Sequence, residues 1–266
     1  MIEKVHFLKA VVVFALLLAT AVATLSVAEM NGLGSAYAQE PAEKIIKDDA
    51  TGGDCTSIGR WNHTTKTCRL TTDLSLRTFG NAIEIDSDGI TLNGNGHTIT
   101  GTDYPPDKDD TDCCVGVSAY LRTGVTIINL NVNNFSAGIR LGSCDDCTVA
   151  RNNVSNNHGD GIDFWRASNS TFILNTANSN GLNGISLDVY SNNNALVFNT
   201  ANLNRNVGDF DASNEYPTAR IGNTYIRNIC SDNVSGGSLT VFSQGIVIGP
   251  SLWGSLCSHQ VGHQRS

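Results

Sequence analysis

Charge is what this sequence has least of. Asp, Glu, Lys and Arg make up 16% of the 266 residues, and 17 bases face 25 acids, a net charge of −8. Binding to nucleic acid relies on clustered Lys and Arg against phosphate, so that class of partner is excluded. Methionine is rarer still, with two residues, and His numbers six. There is no accessory Met or His array of the kind that handles soft metals. Neither a Gly-rich phosphate loop nor a nucleophile elbow occurs, and no catalytic residue can be read from a motif. Beyond Ala28 no stretch is apolar enough to cross a bilayer.

The one long apolar run is at the N-terminus. Lys4 and Lys9 precede an uncharged stretch from Ala10 to Ala28, and Ala36-Tyr37-Ala38 offers a small-x-small cleavage site before Gln39. Residues 1–38 read as a secretory signal peptide, the alternative being a retained signal anchor and with it the chain's one route to a membrane. The expected destination is secreted or cell-surface. Eight cysteines in an exported chain read as candidate disulfides. Asn62, Asn134, Asn153, Asn169 and Asn233 each open an Asn-x-Ser/Thr sequon, either glycan sites or chance products of Asn-rich turns.

What the chain does have is Asn and Gly at fixed spacing. The stretch "FILNTANSNGLNGISL" (172–187) is nearly repeated as "VFNTANLNRNVGDF" from Val197. With Asn175 as anchor, Asn152 and Asn129 precede it at steps of 23, and Asn199 and Asn223 follow at steps of 24. A second Asn stands five residues after each, at Asn134, Asn157, Asn180, Asn204 and Asn228. Gly116, Gly138, Gly161, Gly184 and Gly208 form a parallel column. An earlier copy puts Ala82 in the Gly slot and Asn95 in the anchor slot, with "TDYPPDKDDTD" as an inserted polar loop.

Between these markers apolar residues alternate. Ile139 and Leu141, Ile162 and Phe164, Ile185 and Leu187 follow the Gly slot. Further apolar positions flank each anchor, as Val149 and Val154 flank Asn152. Period two means strands with one buried face, so each repeat holds about three short strands separated by corners. Asn tolerates the left-handed backbone a corner needs, and stacked Asn side chains can bond along a ladder. The reading is all-β: a parallel solenoid of about six coils with a repeat of roughly 23 residues and disulfide-bearing end caps. Residues 39–81 are expected as the N-terminal cap, 82–235 as the stack, and 236–266 as the C-terminal cap and tail. In "GDFD", Phe210 is expected to turn inward while Asp209 and Asp211 point out.

The "GIxL" strands (138–141 and 184–187), "VTIINLNVNNFSAGI" from Val125 and "ITLNGNGHTITG" from Ile90 resemble the right-handed parallel β-helix repeat proteins, and among them the NosD-like, carbohydrate-associated branch. The resemblance implies a coil that turns to the right. Its NosD-like side implies a role in copper-enzyme maturation, and its enzymatic relatives imply a polysaccharide lyase, hydrolase or epimerase.

Cysteine positions suggest the ends. Cys55 and Cys68 flank a turn-rich loop and are expected to pair, and Cys230 with Cys257 would tie the tail over the terminal edge. Cys113, Cys114, Cys144 and Cys147 read first as two disulfides pinning the inserted loop, with a soft-metal site as the alternative. Asp103, Asp107, Asp109, Asp110 and Asp112 are either a calcium-gathering cluster or a solvated acidic loop, and "DSDG" at Asp86 is a turn. His158 is expected at a corner. No cofactor is expected and no metal ligand is assigned.

Outward positions on the strands after the Gly slot give the candidate site. The second position carries Ser118, Arg140, Asp163 and Ser186 on successive coils; the fourth carries Tyr120, Gly142, Trp165 and Asp188. Tyr120, Arg140, Asp163, Trp165 and Asp188 would thus share a face on which aromatic rings and polar groups suit a cell-surface or extracellular polysaccharide. The alternative is a plain exposed ion pair with Trp165 covering the strand. Asp163 and Asp188 would lie roughly 8 Å apart at their Cα atoms. The function expected is a non-catalytic binding or cell-surface structural protein.

Overall fold

The computed structural model describes residues 44–77, 80–102, 114–187, 190–205, 222–230, 233 and 246–248. Within them the chain winds through three parallel sheets, one strand per sheet in each coil. Ala137–Gly142 lies in the first sheet, Thr148–Ala150 in the second and Asn153–Val154 in the third. The next coil repeats the order with Ile162–Trp165, Thr171–Ile173 and a single bridge at Thr176. The period-two pattern fixes which residues face inward. Ile139 lies level with Val117 on one side and Ile162 on the other, and Val149 lies between Ile127 and Phe172. Val132 and Val154 do the same in the third sheet. All of these side chains are at most 1% exposed. Burying each contributes roughly 1.5–3 kcal/mol, so the stack is held by columns of like residues about 4.8 Å apart.

The Gly column stands in register: Gly138 is opposite Gly116 and Gly161, and Gly161 opposite Gly184. Its reason is room. A Cβ on Gly138 would lie 2.1 Å from Val154 Cγ1 and 2.7 Å from the Gly161 carbonyl oxygen. The third sheet meets the first there, and only a bare backbone lets them touch.

The Asn columns form the expected ladders, but the left-handed backbone and the register at both ends are corrected. Asn152, Asn175 and Asn199 are at most 2% exposed, and none has a positive φ. Their side chains point into the stack. Each Nδ2 donates to the Oδ1 of the Asn in the next coil, as Asn152 to Asn175 at 3.1 Å and Asn175 to Asn199 at 3.0 Å. Asn157, Asn180 and Asn204 form a second such ladder. The left-handed backbone is carried by the residue before: Arg151, Leu174 and Phe198 have φ of 55°, 59° and 54°. Asn is chosen here because one amide both accepts and donates, which a buried corner needs.

Asn129 and Asn134, expected in the ladders, occupy the left-handed slot instead, with φ of 54° and 63°. The step into that coil is 22 residues, so Leu130 and Phe135 take the buried positions and their N–H groups donate to Asn152 and Asn157. At the other end the step is 29 residues. Asn228 stacks on Asn199 and Asn233 on Asn204, while Asn223 joins a third ladder through Asn194. The expected stacking of Asn223 on Asn199 is therefore off by five residues. "GDFD" and Gly208 lie outside the described residues.

The stack starts earlier and ends later than expected. Lys44–Ile46, Thr67–Leu70 and Leu74–Arg77 pair in parallel with strands of the coil that begins at Asn81, so the 39–81 segment supplies a coil of its own. Capping is done by the short helix Cys55–Ile58 and by Gly59–Asn62, which pairs antiparallel at the edge of the second sheet. Such a strand closes an otherwise open edge. At the far end Ile246–Ile248 pairs with Thr224–Ile226, beyond residue 235.

Cys55 is bonded to Cys68, tying the capping helix to the second sheet. Cys144 and Cys147 are bonded to each other within one corner, and both are buried. This corrects the expected pinning of the inserted loop: the Cys-x-x-Cys spacing lets the two sulfurs meet inside their own turn. Cys114 is buried at the start of its strand. Cys230 is disulfide-bonded. Cys113, Cys257, the acidic loop from Asp103 to Asp112, His259, His263 and the 1–38 segment lie outside the described residues. No helix among the described residues is long and apolar enough to cross a membrane.

Candidate functional site

The outer face of the first sheet places the expected residues by register. Arg140 is level with Ser118 and Asp163, and Gly142 is level with Tyr120 and Trp165. Arg140 Nε donates to Asp163 Oδ2 at 3.1 Å, and the two side chains are 25% and 17% exposed. Ser118 and Ser186, above and below the pair in the same column, are buried. The ion pair is thus part of the face and not a pair of free side chains in water. Asp188 lies outside the described residues, and with it the expected Asp163–Asp188 separation.

The aromatic residues of this face stack on each other. Tyr120 and Trp165 belong to the coils on either side of Gly142, and they lean together over it. Their ring centroids are 6.1 Å apart with planes at 9°. A Cβ on Gly142 would lie 2.6 Å from Tyr120 Cδ2 and 3.5 Å from Trp165 Cε3. The bare backbone of Gly142 makes the stack possible. The space at Gly142 lets the two rings turn toward each other.

Two further residues join this ridge. The guanidinium carbon of Arg166 lies 4.8 Å from the Trp165 ring centroid and 5.6 Å from that of Tyr190. A cation over two aromatic faces gains roughly 0.5–1 kcal/mol from each at an exposed site. Arg166 and Tyr190 stand at the corner after the strand, with φ of 55° and 63°. Their signal in the sequence was there to find, because they are 24 residues apart, Arg166 directly after the outward column and Tyr190 two residues after it. Tyr120 and Tyr190 are 48% and 50% exposed. The face can therefore offer ring surface, phenol hydroxyls and a guanidinium along the stack axis, beside a carboxylate–guanidinium pair.

The corner after the first sheet is stapled by charge. Asp86 pairs with Arg122 and, at 3.7 Å, with Lys47, and Asp88 accepts the Thr123 N–H. "DSDG" thus ties coils together. His158 Nε2 lies 2.9 Å from Asn134 Oδ1 at its corner. Asp73 accepts from the Thr98 N–H and pairs with His97, and these two contacts hold its carboxyl below the usual range. Among the described residues no group of three or more His, Cys, Asp or Glu could hold a metal ion. The donor set does not fit copper, because Cys144 and Cys147 are consumed in their own disulfide.

Comparison with solved structures gives a likeness to the crystal structure of the Dettilon tailspike protein (gp208), at 16% identity and a TM-score of 0.43. It covers 63% of this chain and 46% of that one, so the match spans about half of the tailspike's length. No curated protein matches the chain. The family model described as "Right handed beta helix region" matches residues 113–253, more than half of the sequence. With its three parallel sheets and its repeating coils, the chain belongs to the right-handed β-helix family.

Proposed function

We propose that this chain is an exported, non-catalytic binding protein whose first-sheet outer face recognises an extracellular or cell-surface polysaccharide. The observation that carries the reading is one juxtaposition. The Arg140–Asp163 pair lies in the column beside a stack of Tyr120, Trp165, Arg166 and Tyr190. Sugar hydroxyls bond bidentately to carboxylate and guanidinium, and the C–H face of a pyranose packs on exposed ring surface. The disulfides suit an oxidising compartment. The signal segment of residues 1–38 supports export, and residues 39 onward would be the mature chain. A chain of net charge −8 would favour neutral glycans over strongly acidic ones.

The test is affinity electrophoresis of the mature protein through gels containing a panel of polysaccharides, with Trp165→Ala and Arg140→Ala beside the wild type. Retardation of the wild type, and its loss in Trp165→Ala with unchanged circular dichroism, is expected. Equal retardation of Trp165→Ala and wild type on every retaining polysaccharide would refute this face. Release of products by the wild type, abolished by Asp163→Asn, would replace binding with catalysis.

A further inference from the structure

Neither the coil nor the binding face accounts for the five Asn-x-Ser/Thr sequons, and the fold sets them in unlike places. Asn134 and Asn233 are half-buried, and both ends of each amide are used. Asn134 Nδ2 donates to the Gly101 carbonyl, and its Oδ1 faces His158 Nε2 at 2.9 Å. Asn233 Nδ2 donates to the Ala201 carbonyl at 3.0 Å, and its Oδ1 accepts the Asn204 N–H at 2.7 Å. Asn62, Asn153 and Asn169 are exposed, and their Nδ2 atoms have no partner among the described residues. Asn62 Oδ1 accepts from the Thr65 N–H at 3.2 Å, and Asn153 Oδ1 accepts from the hydroxyl of its own sequon, Ser155, at 2.7 Å. Asn169 holds a corner with φ of 54°, where the backbone asks for Asn but leaves the amide unused.

We propose that Asn62, Asn153 and Asn169 are acceptors of N-linked glycans and that Asn134 and Asn233 are not. The assignment rests on the export reading, because the transfer takes place outside the cytosol. The donor is a lipid-phosphate-linked oligosaccharide. Nδ2 attacks C1 of its first sugar. The N–C1 bond forms, the bond from C1 to the phosphate oxygen breaks, the lipid phosphate leaves with the electron pair, and Nδ2 gives up one proton. The product is bulky and polar and must lie at the surface. At Asn62 and Asn153 the printed side-chain contact uses Oδ1, which the reaction leaves in place. At Asn134 and Asn233 the Nδ2 atom already meets a carbonyl of the preceding coil, so a sugar there would crowd the contact that closes one coil on the next. Asn153 is the most telling of the three. It is level with Thr176, and the column goes on through Thr200 to Ile229, so the fold requires no amide at that place. Asn is also disfavoured in strands. None of the three stands in the first-sheet outward columns that hold Arg140, Asp163 and Trp165.

The experiment is site-resolved mass spectrometry of the chain made in a secretory eukaryotic host, once with its own residues 1–38 and once with the host's leader in their place. Glycans are removed enzymatically in heavy-oxygen water, which turns an occupied Asn into labelled Asp. Peptides spanning all the sequons are then read from the medium, or from the retained fraction if none is secreted. Label at Asn62, Asn153 and Asn169, with Asn134 and Asn233 bare, is expected. Asn153→Gln/Asn169→Gln should lose two of the three glycans and keep the same circular dichroism. A bare Asn62, Asn153 or Asn169 in the host-leader protein, or label at Asn134 or Asn233, overturns the proposal. Secretion and labelling with the host leader but not with residues 1–38 overturns the export reading and leaves the acceptor sites standing. The polysaccharide face is read separately, by gel retardation of Trp165→Ala.

Discussion

Asn175→Ala tests whether the buried amide ladder, and not the corner as such, holds the coils in register. The Asn175 side chain is 1% exposed. Its Oδ1 accepts from the Asn152 N–H and from Asn152 Nδ2, both at 3.1 Å. Its Nδ2 donates to the Val149 carbonyl at 2.8 Å and to Asn199 Oδ1 at 3.0 Å. Alanine removes all of these and leaves the Asn152 N–H without that acceptor in a dry interior. At a net contribution of about 1 kcal/mol per hydrogen bond, and more for a group left unsatisfied, the loss is about 4–6 kcal/mol. That is a large share of the stability a domain has. The neighbouring substitution goes the other way. Leu174 has φ of 59° and is 46% exposed, so Leu174→Asn should relieve about 1 kcal/mol of left-handed strain while giving up little burial. Urea unfolding followed by circular dichroism reads both. A loss below about 1.5 kcal/mol in Asn175→Ala, or a larger loss in Leu174→Asn than in Asn175→Ala, would refute the division of roles between the two positions.

Three further outcomes follow from contacts in the stack. Gly138→Ala should lower stability by about 1–3 kcal/mol in the same assay, because its Cβ would meet Val154 Cγ1 and the Gly161 carbonyl. Cys55→Ser/Cys68→Ser should lose about 2–4 kcal/mol and loosen the N-terminal coil first, seen as faster hydrogen exchange in residues 44–77 than in the central coils. Asp73→Asn should flatten the acid limb of the stability curve. The native carboxyl of Asp73 is held below its ordinary 3.8, mainly by the Thr98 N–H, so its contribution is complete above that value and is lost as pH falls through the lower native one. Equal acid sensitivity of mutant and wild type below pH 3.8 would count against this contact.

The fold was legible because inward positions repeat for a reason that sequence exposes. Gly116, Gly138 and Gly161 recur because a Cβ would strike the next coil, and Ile139, Ile162 and Ile185 recur because each fills the same slot one level on. The Asn columns were legible as repeats and as ladders, but not which residue of each corner takes the left-handed backbone. Spacing alone does not separate Asn175, whose amide is buried, from Leu174, whose backbone turns, since they are adjacent and share a period. Register failed where coil length changed. The 22-residue step moved Asn129 and Asn134 out of the ladders, and the 29-residue step moved Asn223 and Asn228 by five. A fixed period has no term for an inserted residue; only strand pairing reveals it. The first coil was missed for a different cause, as Lys44–Ile46, Thr67–Leu70 and Leu74–Arg77 carry neither Gly column nor Asn ladder.

Outward positions obey another rule, and this decides what could be read of the site. Once Gly138 lies over Gly161, the level of Arg140 with Asp163 and of Tyr120 and Trp165 with Gly142 follows by counting. The lean of the rings does not, because it depends on the empty place at Gly142 and on side-chain rotation. Arg166 and Tyr190 were passed over since they occupy corner positions, where a period-two reading sees only a turn. An outward side chain has no neighbour across the core to satisfy, so packing lets it vary from coil to coil, as Ser118, Arg140 and Asp163 do within one column. Variation there is the default and a mixed face is what a binding site for an irregular ligand looks like. An outward column that stays Thr from Thr67 through Thr171 departs from that default without help from the core. Its regularity answers to its own sheet, where level Thr side chains support one another from strand to strand.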